Sequence, residues 1–252
     1  MLNFSPCLEI FFNDLSFTKR IKRIAEIGYK YFEFWSWWDK NIDEISEVAE
    51  ANTIKCAACC TKFISLVDAG KRNEYLDGLG ETIEVSKKLG SSIIISQVGD
   101  EVMGINREIQ LISLIDGLRK AAKMLQDTGL VLAIEPLNIL YDHPGYFLTK
   151  SSEAYFIVKS VDSSHIKMLF DIYHQQITEG NLINNIKNFY SEIAHFHIAD
   201  HPGRHEIGTG EINYFNVLKY IEEAGYMGAI GIELFPLNKN HSEVLSNPLF
   251  FS

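Results

Sequence analysis

The sequence predicts an α/β protein, a single parallel (β/α)8 TIM barrel spanning residues 1–252, and three observations carry that expectation. Short apolar runs alternate with longer amphipathic stretches from one end of the chain to the other. Eight such pairs fit a length of 252 residues, the usual size of such a barrel. No GxGxxG follows the first apolar run, so the rival architecture, an open doubly wound sheet, lacks its usual fingerprint. No Pro/Gly/Ser-rich linker or shift in composition breaks the alternation, and one domain is expected.

Taken in order, residues 7–11 form the first expected strand. Ser16 then suits the N-cap of a helix with Ile21, Ile24, Ala25 and Gly28 on one face. Residues 31–35 are the second strand, followed by a polar helix over about 43–51; residues 54–60 are the third, followed by a helix over about 72–89 that Gly90 stops. The fourth strand, 92–97, precedes a long helix over about 106–126. Strand five is expected at 130–135 with a helix over about 152–160, and strand six at 166–171 with a helix over roughly 181–190. Strand seven is 194–198, after which Asn213 caps a helix reaching about Ala224, and strand eight is 228–233.

Side chains alternate across a strand, so parity assigns faces. In strand five Val131, Ala133 and Glu135 share one side, and Leu130, Leu132 and Ile134 the other; in strand eight Ala229, Gly231 and Glu233 oppose Ile230 and Ile232. The small residues ending in a carboxylate suit the barrel interior, and the bulky ones the helix layer.

Composition limits the partners. An apolar content of 46% supports a sizeable core, and a formal charge of −10 without any basic run argues against nucleic acid or an anionic membrane. The N-terminus lacks the features of a signal peptide and no apolar run is long enough to span a bilayer, so a soluble, cytoplasmic protein is expected. Cys7, Cys56, Cys59 and Cys60 fit a reducing compartment. Cys56 and Cys59 spell CxxC, but residues three apart on a strand point to opposite faces, so they are expected as buried small hydrophobes.

Ligand-type side chains stand at the ends of four successive strands: Glu135, Asp171, His197 and Glu233, spaced 36, 26 and 36 residues apart. Each interval is about one βα unit, so neighbouring strands deliver all four to the rim where barrels of this kind carry their chemistry. Three carboxylates that close repel one another unless a cation holds them. One imidazole with three oxygens suits one divalent ion such as Mn²⁺, Mg²⁺, Co²⁺ or Zn²⁺. His195, two residues before His197, is expected to be a buried structural histidine. His201 and His205, in the same histidine-rich stretch, have no assigned role.

The strings EPLN (135–138), DHPGYFL (142–148), DIYHQQ (171–176), HIADHPGRHEIGTGEINY (197–214) and GIELFP (231–236) resemble the hydroxypyruvate isomerase family of xylose-isomerase-like barrels, a superfamily that also includes ketose 3-epimerases. The resemblance covers most of the chain. It implies a metal site of Glu135, Asp171, His197 and Glu233, with Glu135 and Glu233 doubling as catalytic proton-transfer groups and His174 and Arg204 near the substrate; it also implies a homo-oligomer. This chain departs from the family in having Glu233-Leu234-Phe235-Pro236 where EYxP is common, and some members carry Gln where His197 stands.

Such residues suit removal of a proton α to a carbonyl, with an enediolate stabilised by the cation and carboxylates moving the proton. One group handling both steps gives aldose–ketose isomerisation, and two opposed groups at one carbon give epimerisation. The guanidinium of Arg204 suits a substrate carboxylate, favouring hydroxypyruvate or a 2-oxo-tetronate over a neutral sugar; the alternative is a surface salt bridge to Glu206 or Glu211. The alternative is a ketose 3-epimerase or inosose-type sugar isomerase on the same metal site; Tyr141, where related 3-epimerases tend to carry Glu, counts against the epimerase. Trp35 is a candidate substrate-pocket wall, with subunit contact and loop packing as alternatives for the Trp35, Trp37 and Trp38 cluster. Glu9 and Glu33 are candidates either for pocket acids or for hydrogen bonding inside the barrel. A DNA-repair endonuclease on this barrel would need a basic face that the acidic composition does not offer, and a catalytically silent barrel would hold no stoichiometric metal.

Overall fold

The computed structural model describes residues 1–250. Eight parallel strands pair in the order β1-β8-β7-β6-β5-β4-β3-β2, with helices between them. In chain order these are β1 (Asn3–Pro6), α1 (Phe17–Ile27), β2 (Tyr31–Phe34), α2 (Ile42–Ala51), β3 (Lys55–Cys60), α3 (Arg72–Leu89), β4 (Ile93–Ser96), α4 (Arg107–Leu125), β5 (Val131–Ile134) and α5 (Ser151–Val161). They continue with β6 (Ile166–Asp171), α6 (Ile172–Thr178), α7 (Leu182–Phe189), β7 (Ile193–Ile198), α8 (Tyr214–Glu223), β8 (Ala229–Ile232) and α9 (His241–Leu245). The barrel is nearly closed: β1 and β2 share no ladder, but Cys7 bridges to Glu33 and the Leu8 amide donates to the Glu33 carbonyl at 2.9 Å.

Side-chain parity builds two cores. Ala58, Cys60, Ile95, Ala133 and Leu169 form a small cluster of mostly short side chains, while Leu130, Leu132, Ile134, Ile230 and Ile232 belong to the large cluster shared with the helices. Burying an aliphatic side chain of this size is worth about 1.5–3 kcal/mol, so a one-residue slip of any strand, which swaps its faces, is strongly disfavoured.

Three expectations need correction. The first strand is Asn3–Pro6 rather than 7–11; Leu8, Ile10 and Phe11 are buried in a turn, so their hydrophobicity reports burial and not a ladder. Strand six is followed at once by α6, a helix the sequence pattern did not reveal, because Asp171 is both the last strand residue and the helix N-cap. Cys56 and Cys59 do not face opposite ways. The register shifts where Phe32 and Glu33 pair with Cys56 and Ala58, the extra residue is Ala57, and both sulfurs join the large outer cluster. The Cys56 thiol reaches the Ala58 carbonyl at 3.5 Å and Cys59 lies 3.6 Å from the Ser86 hydroxyl, so both are packing residues.

Candidate active site

The strands' own register assembles the site. Asp171 pairs with His197, and His197 with Gly231, so these positions stand side by side across β6, β7 and β8. Glu135 and Glu233 lie one residue past their strands, their backbones tied to the barrel by Glu135 N to the Ser96 carbonyl (3.2 Å) and Glu233 N to the Ile198 carbonyl (3.1 Å). Glu135, Asp171, His197 and Glu233 are all buried, and one ligand atom from each lies within 4.8 Å of the others. His197 Nδ1 stands 3.4 Å from Glu135, 3.3 Å from Glu233 and 3.9 Å from Asp171.

The two glutamates differ in their partners. Glu233 Oε1 accepts from the Trp35 indole and Oε2 from the Arg204 guanidinium. Burial opposes its charge, but Arg204 and then His197 hold its carboxyl well below the usual range. Glu135 Oε1 has no hydrogen-bond partner among the described residues, and burial pushes its pKa up despite His197. Asp171 is also raised by burial, with Arg204 opposing, while its Oδ1 accepts from the Tyr173 and His174 amides at 2.8 and 3.2 Å.

His174 is fully buried one turn into α6. Its Nδ1 faces the Asn138 side-chain amide at 2.7 Å and the Asn138 backbone amide at 3.3 Å. Two N–H groups aimed at Nδ1 make it an acceptor, which assigns the ring proton to Nε2, an atom 3.6 Å from Asp171 Oδ2 with no hydrogen-bond partner among the described residues. Burial, then the charge of Arg204, pushes the imidazole well below its ordinary pKa. His174 therefore offers the cavity a neutral N–H.

Arg204 does not pair with Glu206 or Glu211. It is buried, binds Glu233, lies 4.0 Å from Asp142 and 3.9 Å from Asp171, and packs its guanidinium over the Tyr173 ring at 5.3 Å. Glu206 instead accepts from the Leu237 and Asn238 amides at 3.0 Å each, and Glu211 accepts from Gln176 at 3.1 Å. Arg204 is positioned by a loop that Asp200 organises from within. The two oxygens of this fully buried carboxylate accept from the amides of His201 (2.9 Å), Gly208 (2.8 Å), Gly210 (3.0 Å) and Ile212 (3.1 Å). Gly210 has no room for a side chain, since a Cβ would lie 2.1 Å from the His201 carbonyl oxygen. The Arg204 carbonyl accepts from Phe235 N at 2.7 Å, joining this loop to the one after β8. Sequence reasoning missed Asp200; the GTG run that begins eight residues on was its only signal.

Of the remaining candidates, Trp35 is half-buried and lines the cavity, whereas Trp37 and Trp38 pack edge-to-face against each other at 5.8 Å. Glu9 binds Lys40 and Ser36 outside the cavity. Glu33 and His195 lie inside the barrel, hydrogen-bonded at 3.1 Å, and Glu33 Oε1 stands 3.0 Å from His197 Nε2, an ion pair not aligned as a hydrogen bond. His205 Nδ1 contacts the Phe235 carbonyl at 2.8 Å. Glu135, His197 and Glu233 line a cavity of about 230 Å³ together with Trp35, His174 and Arg204.

The cluster fits a divalent cation. Three carboxylates against the one guanidinium of Arg204 leave two negative charges, and the unpartnered Glu135 Oε1 and His197 Nδ1 are a hard oxygen and an imidazole nitrogen facing the same point. Without a cation the His197 ring answers that charge: burial disfavours protonation, but Glu33 and then Glu233 and Glu135 raise its pKa well above the ordinary value.

A sequence model of the xylose isomerase-like TIM barrel matches residues 21–247. The hydroxypyruvate isomerase of Escherichia coli K12 is 34% identical over 245 residues, 94% of each chain. A 2-oxo-tetronate isomerase of Cupriavidus necator is 32% identical over 167 residues, 66% of this chain and 64% of its own. Among solved structures, a Brucella melitensis protein described as an AP endonuclease of family 2 superposes with a TM-score of 0.92 at 28% identity, covering 96% of both chains. The fold, the clustered strand ends and these relatives agree: the chain is an isomerase that belongs to the hydroxypyruvate isomerase family of xylose isomerase-like TIM barrels.

Proposed function

We propose that the chain is a divalent-metal-dependent isomerase of a small 2-oxo/hydroxy acid, hydroxypyruvate with tartronate semialdehyde or a 2-oxo-tetronate, working by proton transfer through an enediolate. The observation that carries this is the buried set of three carboxylates and one imidazole, two of its ligand atoms unpartnered, beside a cavity that holds Arg204 and His174. The substrates named for the Escherichia coli and Cupriavidus necator relatives support the substrate class.

Glu135, Asp171, His197 and Glu233 would hold the cation, which supplies Lewis-acid neutralisation of the charge that builds on the substrate's oxygens. Arg204, fixed over Tyr173 and against Glu233, binds the substrate carboxylate with the rest of its fork. His174 donates its Nε2–H to a substrate oxygen, and Trp35 walls the cavity. Glu135, with one oxygen unpartnered, takes the proton from the carbon next to the carbonyl, and a carboxylate returns it to the neighbouring carbon. Glu233, held on both oxygens by Trp35 and Arg204, stands as the second proton-transfer group.

A second reading, a ketose 3-epimerase or inosose-type enzyme on the same site, draws support from a neighbouring cleft of about 400 Å³ that shares Phe63, Gln97 and His143 with the cavity and offers room for a longer carbon chain. A panel of hydroxypyruvate, 2-oxo-tetronates and ketoses, assayed with added Mn²⁺ or Mg²⁺ and scored by product, separates the two. Turnover confined to ketoses would overturn the oxo-acid assignment.

A further inference from the structure

Glu33 is 2% exposed, does not line the cavity, and has no part in the chemistry proposed above. An unpaired ionised carboxylate at that depth is strongly disfavoured, yet three strands converge to keep one there. Ser5 Oγ of β1 donates to Glu33 Oε2 at 2.6 Å, and His195 Nε2 of β7 donates to the same oxygen at 3.1 Å. The other oxygen, Oε1, meets His197 Nε2 at 3.0 Å. Gly231 of β8 leaves the space: a Cβ there would fall 2.2 Å from Glu33 Oε1 and 2.5 Å from His197 Cδ2.

An imidazole ring carries its nitrogens on different edges. With Nε2 drawn to Glu33, Nδ1 is turned upward, toward Glu135, Asp171 and Glu233. Glu33, His195 and His197 also lie close enough to count as a ligand set of their own. Glu33 Oε2 already accepts from Ser5 and His195 and Oε1 faces the His197 Nε2 edge at 3.0 Å, so the group reads as a support and not as a second site.

We propose that Glu33 is a positioning residue for the metal site: it fixes the rotation of the His197 ring, keeps the ring proton on the Nε2 edge, and so presents Nδ1 as a ligand to the cation. Its charge also makes the imidazole a better donor, as carboxylates behind metal-bound histidines do. The inference rests on the metal-dependent reading above, and its test distinguishes the two failures.

The probe is Mn²⁺ alone, titrated into wild type and Glu33→Gln, with the free ion counted by electron paramagnetic resonance. Thr82→Val, which removes a buried hydroxyl bound to the Gly78 carbonyl at 2.8 Å within α3, serves as the control for a purely structural loss. The variant Glu33→Gln is expected to bind Mn²⁺ roughly 10–100-fold more weakly than wild type, with Thr82→Val unchanged in affinity. A folded Glu33→Gln with wild-type affinity overturns the proposal. If Glu33→Gln does not fold, Ser5→Ala decides: removing the hydrogen bond that anchors Glu33 should weaken Mn²⁺ binding several-fold, and an unchanged affinity overturns the proposal in the same way. A wild-type protein that takes up no Mn²⁺ overturns the metal-dependent reading and this inference together, and the wild-type titration alone identifies that case.

Discussion

Replacing Asp200 by Asn tests how the loop that carries Arg204 is held. The four amides it binds are at 2.8 to 3.1 Å, two on each oxygen. An asparagine of the same shape keeps one oxygen and puts an NH₂ where the other stood, so two of the four backbone N–H groups face a donor. A hydrogen bond to a charged group is worth about 1.5–3 kcal/mol, so two lost bonds have an upper bound of about 3–6 kcal/mol. Gly208 and Gly210 lie at the exposed part of the loop and regain water, which places the expected loss near the lower end, at about 3 kcal/mol. At about 1.4 kcal/mol per tenfold, the amides of residues 208, 210 and 212 should exchange with deuterium about 100-fold faster in Asp200→Asn. Amides of β3, four strands away from β7 in the barrel, should keep their wild-type protection. Because the Arg204 carbonyl is tied to Phe235 but its chain segment depends on Asp200, KM for an oxo-acid should rise as well. Wild-type exchange at residues 208–212 in the variant would refute the argument that Asp200 organises the loop.

Three further outcomes follow from the geometry. Gly231→Ala forces a Cβ to within 2.2 Å of Glu33 Oε1; overpacking of this kind costs about 1–3 kcal/mol, and a melting temperature equal to wild type would contradict it. Arg204→Lys keeps the charge but loses the fork, so kcat/KM should fall about 10–100-fold for a carboxylate substrate and far less for a neutral ketose, a difference worth about 1.4–2.7 kcal/mol; equal losses on both would argue that Arg204 does not read the carboxylate. Burial pushes the Glu33 carboxyl up, but His197 and then His195 outweigh it and hold the pKa at about 2 against an ordinary 4.5. A depressed folded-state pKa contributes stability that is present above pH 4.5 and lost as pH falls toward 2, here about 3 kcal/mol. Glu33→Gln should show a correspondingly shallower loss of stability over that window in acid denaturation curves, and an identical pH dependence in the two proteins would contradict the assignment.

The residues that the sequence made legible are those whose signal is periodic. Strand parity put Glu135 and Glu233 on the side of Ala133 and Gly231, and the two hydrophobic clusters divide along that parity. The intervals between Glu135, Asp171, His197 and Glu233 follow the βα repeat, which is why four positions far apart in the chain were recognisable as one group. What stayed hidden lacks a period. The first strand is only four residues and ends at Pro6, while the more apolar stretch beside it is a buried turn. The helix α6 starts on the strand's last residue, with no polar loop to announce it, and His174 rides on that helix. The face shared by Cys56 and Cys59 depends on a bulge at Ala57, a one-residue irregularity set by pairing with β2. Glu33 and Asp200 are each a single acid whose importance comes from partners brought by other strands and by backbone amides, which no local pattern records.

The most direct test of the central claim follows the hydrogen on the carbon between the hydroxyl and the carbonyl of hydroxypyruvate. Incubated in D₂O with Mn²⁺, wild type should replace that hydrogen with deuterium, read by proton NMR, whether or not product accumulates. Glu135→Gln, assayed folded and at saturating Mn²⁺, should lose exchange by about 10²–10⁴-fold, the usual contribution of a positioned general base. Exchange at the wild-type rate in that variant, or none in wild type, would contradict proton transfer by Glu135 at this site.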